Sequence, residues 1–417
     1  MLITYKKSKY ELFKKYVDIK LIFIVLALIF IGLFSLYSSS ISLDTSHNLF
    51  NRQFLSTCIG LAAMVIVSLL PEDWIKRGSV IFYWLSIVLL LAVLFFGVEI
   101  YGTKGWIRFA GLSFQPAELA KITTILIVAR HLAKRGANVS NIWDFSIISG
   151  YFLLPFVIIN LQPDFGTSLV IFIIFLGVLY WGGFDGFILF ILVASGIIAI
   201  AALKSNILFY ILFIVASATL LLFQKKIYYY LIGVGLLLAV GLSSPVIYNN
   251  LAAHQKSRID VFLNPGHDPQ GVGYNVMQSV LAVGSGGYLG KGYMQGTLTQ
   301  LRYIPMQWTD FIFSVPAEEF GLLGSLVIIL FLCALVWRCG VISSDSKNKF
   351  YSTLAFGAAV MFLFHIFVNI GMVIGIVPVM GIPLPFMSYG GTSMIMNLIL
   401  IGLLLNAHRH NNTRENN

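Results

Sequence analysis

A carboxylate in a stiff turn is the first candidate for chemistry in this chain. Asp268 stands in Gly266-His267-Asp268-Pro269-Gln270-Gly271, where Pro269 restricts the backbone and Gly271 lets it turn. A carboxylate presented in this way suits a general base acting on a hydroxyl. The alternative reading is an aspartate that only closes an Asx turn. Arg258, Gln278 and Lys291 share the polar, glycine-rich stretch 248–310 with it and are candidates for holding a substrate. A second group lies at Glu118 and Lys121, three residues apart behind Pro116, so they project from one helical face. Ionisable residues inside apolar helices are costly and usually face a cavity or a partner. They form either a structural ion pair or the wall of a polar cleft. Trp106 and Arg108 read as an interfacial anchor with a snorkelling cation, or as a phosphate contact. Asp164 is either a helix N-cap or part of the same site.

Several familiar sites are excluded. Gly290-Lys291 is not a P-loop, because Gly292 stands where Ser or Thr is required and Ser285 where the first glycine should be. No His-Glu-x-x-His and no Gly-x-Ser-x-Gly occurs. The three cysteines, Cys58, Cys333 and Cys339, fall in apolar runs without metal-ligand spacing and are expected as small core residues. No metal-ligating set is assigned.

The elements that must position these residues are apolar helices. Of 417 residues, 58% are hydrophobic and 11% charged, and the mean hydropathy is +0.89. Runs near 20 apolar residues are transmembrane candidates, and helices satisfy their own backbone in lipid. The expected fold is an all-α polytopic membrane protein, one integral-membrane domain over 1–417. About twelve spans are expected, near 20–39, 54–70, 79–98, 116–132, 145–161, 165–181, 185–203, 207–224, 228–247, 311–338, 352–375 and 389–407. The first is too long for a signal-peptide core and is expected to stay as an anchor. A short amphipathic helix is expected over 274–283.

The net charge of +10 raises nucleic acid as a partner, but the basic residues sit at span ends and exclude that reading. With the N-terminus in the cytoplasm, 18 of the 27 Lys and Arg fall inside. Arg52, Lys104, Arg108, Lys204, Lys256, Arg258, Lys291 and Arg302 fall outside, and Lys121 lies within a span. The bias follows the positive-inside rule and places both termini in the cytoplasm and 248–310 outside. The outer bases concentrate in 99–114 and 248–310, which implies an anionic partner there.

Taken together, the polar segments resemble the SEDS family (shape, elongation, division and sporulation) over nearly the whole chain. The segments are 115–121, 162–168, 268–292, 309–313, 318–321, 368–372 and 383–391. The run Gly284-Ser285-Gly286-Gly287 with Gly290-Lys291-Gly292 and Gly296-Thr297 is similar to the RodA (elongation) branch rather than the FtsW (division) branch. The resemblance implies a peptidoglycan glycosyltransferase of the bacterial cytoplasmic (inner) membrane. It would extend a glycan on undecaprenyl diphosphate with lipid II during elongation and rod-shape maintenance. It implies Asp268 as the essential catalytic residue and Trp106, Glu118 and Lys121 as functional positions. An α-linked donor giving a β-linked product requires one inverting displacement, with Asp268 as base. Arg108, Lys121 or a divalent cation, Mg or Mn, would neutralise the leaving diphosphate. A class B penicillin-binding protein and the elongation machinery are the implied partners, with a docking strip near Gly371 and Gly375. Two departures stand out. The family usually has ten spans, so a surplus pair is placed within 185–247, and Met306 occupies a position where the family has Glu. A lipid-linked-saccharide flippase and a noncatalytic scaffold for a wall synthase are the rival functions.

Overall fold

The computed structural model describes residues 17–40, 46–100, 103–109, 112–250, 256, 260 and 272–414. Asp268 and Arg258 lie outside the described residues. In chain order the elements are α1 (Ile19–Ser40), α2 (Ser46–Leu69), α3 (Glu72–Phe96), β1 (Val98–Ile100), β2 (Thr103–Phe109), β3 (Leu112–Phe114), α4 (Pro116–Leu132), α5 (Ile142–Leu161) and α6 (Phe165–Trp181). They continue as α7 (Gly186–Lys204), α8 (Asn206–Leu221), α9 (Ile227–Asn249), α10 (Val272–Ser285), α11 (Thr297–Gln300), α12 (Ser314–Asp345), α13 (Lys349–Val373) and α14 (Gly391–Arg414).

Each of the twelve expected spans coincides with a helix. Nine are at least 18 residues long and apolar enough to cross a membrane. The other three are α4 and α6, with 17 residues each, and α8, with 16. At a rise of ~1.5 Å per residue they reach about 25 Å, slightly less than a ~30 Å hydrocarbon layer. Side-chain caps mark where several helices begin. Asn141 accepts from the Trp143 N–H at 3.1 Å, Asp185 from Phe187 at 3.0 Å and Asn348 from Phe350 at 3.1 Å.

The chain forms two compact units, Gly183–Val276 and the remainder. In the larger unit, α4, α13 and α14 are the central helices: nearly every residue of α4 is buried, and 67% and 72% of the spanning windows of α13 and α14 are, against at most 44% in the other long spans. Gly402 of α14 meets α2 so closely that an added Cβ would lie 2.6 Å from the Met64 carbonyl oxygen. At the end opposite the candidate site, Arg338 Nε donates to Asp18 at 2.6 Å, and Asn406 Nδ2 donates to the Leu70 carbonyl at 2.7 Å. The smaller unit holds α7, α8 and α9 around Phe187, Ile198, Phe209, Leu220 and Leu237.

Three findings differ from the expectation. The first outer loop holds an antiparallel meander, β1-β2-β3, within a fold expected to be all-α; such short strands alternate too briefly to register as a pattern. The span expected over 311–338 is α12, broken at Gly321 (φ 62°, ψ −156°), a backbone region that is essentially glycine-only. Segment 287–292 fills the break. The N–H groups of Lys291 and Gly292 donate to the Glu318 and Glu319 carbonyls, and those of Leu322 and Leu323 donate to Gly287 and Tyr288. Finally, Cys58 and Cys333 are exposed on their helices, and only Cys339 is in the core. In an apolar span hydrophobicity does not tell the buried face from the lipid face.

Candidate active site

Polar side chains collect at one end of the larger unit, where α4, α6 and α12 begin and α13 ends. Pro116 opens α4 as its first residue, a position that needs no N–H donor. One turn later Lys121 Nζ donates to Glu118 Oε1 at 2.8 Å, with the two side chains 2% and 5% exposed. Lys121 Nζ also lies 3.3 Å from His365 Nε2, and His365 Nδ1 lies 3.2 Å from the Pro383 carbonyl oxygen. A carbonyl can only accept and an ammonium can only donate. The imidazole therefore carries its proton on Nδ1 and accepts from Lys121 through Nε2. A buried charge pair is tolerated only when its remaining hydrogen-bonding capacity is met, and His365 contributes to that.

Asp164 caps α6. Its Oδ1 accepts from the Thr167 N–H at 3.0 Å. Its Oδ2 accepts from Thr167 Oγ1 at 2.9 Å and from Gln115 Nε2 at 3.1 Å. Burial pushes its carboxyl above the usual carboxylate range despite the Thr167 hydrogen bonds and the Lys121 charge. Asp310, just before α12, is half-buried. Desolvation first, and then the charge of Asp164, push it up to about 6. Asn369 of α13 ties this corner together, its Nδ2 donating at 2.8 Å to the carbonyls of both Asp310 and Ile382. Its Oδ1 is buried without a hydrogen-bond partner among the described residues.

The outer loops are bolted to the same end. Gly390 N–H donates to Gln53 Oε1 at 3.0 Å, Tyr389 N–H to the Trp308 carbonyl at 2.8 Å, and Thr392 Oγ1 to the Ser113 carbonyl at 3.0 Å. On β2, Trp106 pairs with Val98 and Arg108 with Ser113. Residues two apart on a strand share a face; Trp106 is half-buried and Arg108 exposed.

Lys291 is already committed. Its Nζ lies 2.6 Å from Glu318 Oε1, and the Glu318 side chain is 0% exposed. Glu318 also accepts from the Leu298 N–H at 3.0 Å, the Thr299 N–H at 2.9 Å and Thr299 Oγ1 at 2.8 Å. Lys291 is thus the counter-ion of a buried structural carboxylate. The expected helix around Gln278 is present as α10, pinned by Ser279 Oγ to the Val373 carbonyl at 2.9 Å, and Gln278 is half-buried on it. Gly371 is buried and packs on Val377, so it does not face lipid as a docking strip requires.

The structure therefore brings Glu118, Lys121 and Asp164 together, and adds His365, Asn369, Gln115 and Asp310. His365 and Asn369 carried a signal: two polar residues four apart, on one face of an apolar helix. Among the described residues, no three His, Cys, Asp or Glu side chains are placed to hold a metal ion.

A multi-pass helical membrane protein with an ionisable cluster at one end of its helices is the class that this fold and site define. The family model for FtsW, RodA and SpoVE, described as cell cycle protein, matches residues 19–212 and 205–413. Peptidoglycan glycosyltransferase MrdB of Escherichia coli (strain K12) is 30% identical over 397 residues, covering 95% of each chain. A probable peptidoglycan glycosyltransferase FtsW of Thiomicrospira cyclica is 32% identical over 404 residues, covering 93% of this chain and 90% of the relative. Among solved structures, one from a peptidoglycan synthase complex that coordinates polymerization and crosslinking superposes with a TM-score of 0.72. It is 26% identical and covers 95% of this chain and 98% of the other. The chain belongs to the FtsW/RodA/SpoVE family.

Proposed function

We propose that this chain is a peptidoglycan glycosyltransferase that polymerises lipid II into glycan strands on the outer face of the bacterial cytoplasmic membrane. The observation that carries the reading is the enclosed Glu118–Lys121–His365 chain beside Asp164, at the end where the motif loops meet. The 4-hydroxyl of the acceptor attacks C1 of the lipid-linked donor, its proton passes to Asp268, and undecaprenyl diphosphate leaves with the bonding pair. Lys121 is too enclosed to reach a substrate by contact. Two of its three N–H donors are spent on Glu118 and His365, and its charge acts through a poorly screened environment on the anion forming above it. Exposed Arg108 is the group available for direct contact with the diphosphate. A divalent cation, Mg or Mn, would help offset the charge of the leaving diphosphate.

The finer assignments are the elongation branch and both termini in the cytoplasm. They rest on the glycine pattern of 284–297 and on the charge asymmetry of the loops. A class B penicillin-binding protein is the proposed partner, supported by the likeness to a chain from a synthase complex. Transporters place their polar sites near the midplane, whereas Glu118 and Lys121 lie in the first two turns of α4 and His365 and Asn369 in the last three of α13. This favours surface chemistry over lipid flipping. Purified protein given labelled lipid II should form glycan polymer, faster with its cognate transpeptidase. Asp268→Ala should reduce the rate by about 10²–10⁴-fold, the size of a general-base contribution, with the thermal transition intact. Near-normal polymerisation by that variant would remove Asp268 as the base.

A further inference from the structure

The turn between α8 and α9 carries a half-open groove of about 130 Å³ lined by Leu220, Leu221, Lys225, Ile227 and Tyr230. A water occupies ~30 Å³, so the space takes a short stretch of chain rather than a whole molecule. Its walls are apolar or aromatic, with one cation at the edge. Leu221 and Ile227 open outward, 58% and 68% exposed. Lys225 Nζ lies 2.9 Å from Asp185 Oδ2, with the side chains 37% and 40% exposed. An ion pair this wet is weak, so the lysine is free to turn toward a second anion. Lys226, also exposed, follows directly.

The next three residues fix the depth of this turn. Tyr228, Tyr229 and Tyr230 form the first turn of α9. Tyrosines gather where a helix leaves hydrocarbon, because the ring is apolar and the hydroxyl is wet. The two lysines therefore sit at the level of lipid phosphates, and the apolar groove lies just beneath them. Charge and shape select the same occupant. A soluble phosphate makes no use of Leu220, Leu221 and Ile227, and a neutral lipid makes no use of the lysines.

We propose that this turn binds one anionic phospholipid, its phosphate held by Lys225 and Lys226 and the start of one acyl chain lying against Leu221 and Ile227 in the groove. The site is independent of the catalytic reading. Full-length protein would be reconstituted with equal phosphatidylglycerol and phosphatidylcholine, and retained lipids counted by native mass spectrometry. The wild type should retain one phosphatidylglycerol with about tenfold preference. That preference should disappear in the Lys225→Gln/Lys226→Gln double variant, and millimolar glycerol phosphate should not displace the lipid. Asp185→Asn leaves both cations and removes the carboxylate that competes for Lys225, so it should hold the lipid more tightly, an outcome that loss of folding cannot imitate. Equal retention of the two lipids, unchanged retention in the double variant, displacement by glycerol phosphate, or no gain from Asp185→Asn would each overturn the proposal.

Discussion

Removing Lys121 should cost more than the loss of one salt bridge, because its partner cannot reach water. In Lys121→Ala the Glu118 carboxylate stays behind with its side chain 5% exposed, and breaking a buried pair on one side costs about 3–5 kcal/mol. Glu118→Ala should cost the same order, since the only hydrogen-bond partner that Lys121 keeps among the described residues is the neutral His365. The double variant removes both charges together and should be no worse than either single one, a coupling of about 3–5 kcal/mol. Activity should follow the same pattern. If Lys121 stabilises the leaving diphosphate, each single variant should lose on the order of 10²–10³-fold in polymerisation, as for one electrostatic donor, and the double variant little more. The assay is a double-mutant cycle read twice, once as unfolding free energy in micelles and once as the initial rate on labelled lipid II. Single-variant costs that sum to the double-variant cost within about 0.5 kcal/mol would refute the claim that the two residues form one unit. Full activity in Lys121→Ala would refute the electrostatic role while leaving the structural one.

Gly321→Ala should destabilise the protein by about 2–3 kcal/mol or more, because its φ of 62° is strained for alanine and an added Cβ would lie 2.4 Å from the Gly290 nitrogen; a thermal midpoint matching the wild type would show that the break in α12 is not maintained. The Asp310 carboxyl, raised to about 6, makes the folded state bind a proton that the unfolded chain releases. Its contribution is present below the ordinary carboxylate range and lost as pH rises through about 6, at most about 3 kcal/mol and less for its partial exposure. Between pH 4 and 7 the thermal midpoint of Asp310→Asn should therefore fall less than that of the wild type; parallel curves would count against the shift. For topology, Cys58 and Cys333 are exposed and must first be replaced. An impermeant thiol reagent applied from outside should then label Asn264→Cys and not Ser346→Cys, and the reverse pattern would invert the proposed orientation.

Much of the architecture was legible in the chain because lipid imposes a simple rule. A stretch of apolar residues must be helical there, so the twelve runs could be located by length and hydropathy alone, and each coincides with a helix. The Glu118–Lys121 pair was legible for a similarly local reason: three residues of helix put both side chains on one face, and they bond at 2.8 Å. Pro116 and Asp164 announced helix starts in the same way. What the chain could not announce is which residues meet across it. His365 reaches Lys121 over 244 positions, and no periodicity carries that distance. Lys291 read as an available cation, and only the packing of segment 287–292 into the break of α12 reveals that its charge is spent on the buried Glu318. The lipid-facing and core-facing sides of the helices were also undecided, as Cys58 and Cys333 show, because both sides are equally apolar. Local spacing and hydropathy thus determined the helices and their order. The tertiary structure decided which charges are paired, which are enclosed and which remain for a substrate, because pairing and desolvation depend on neighbours that the chain supplies from far away.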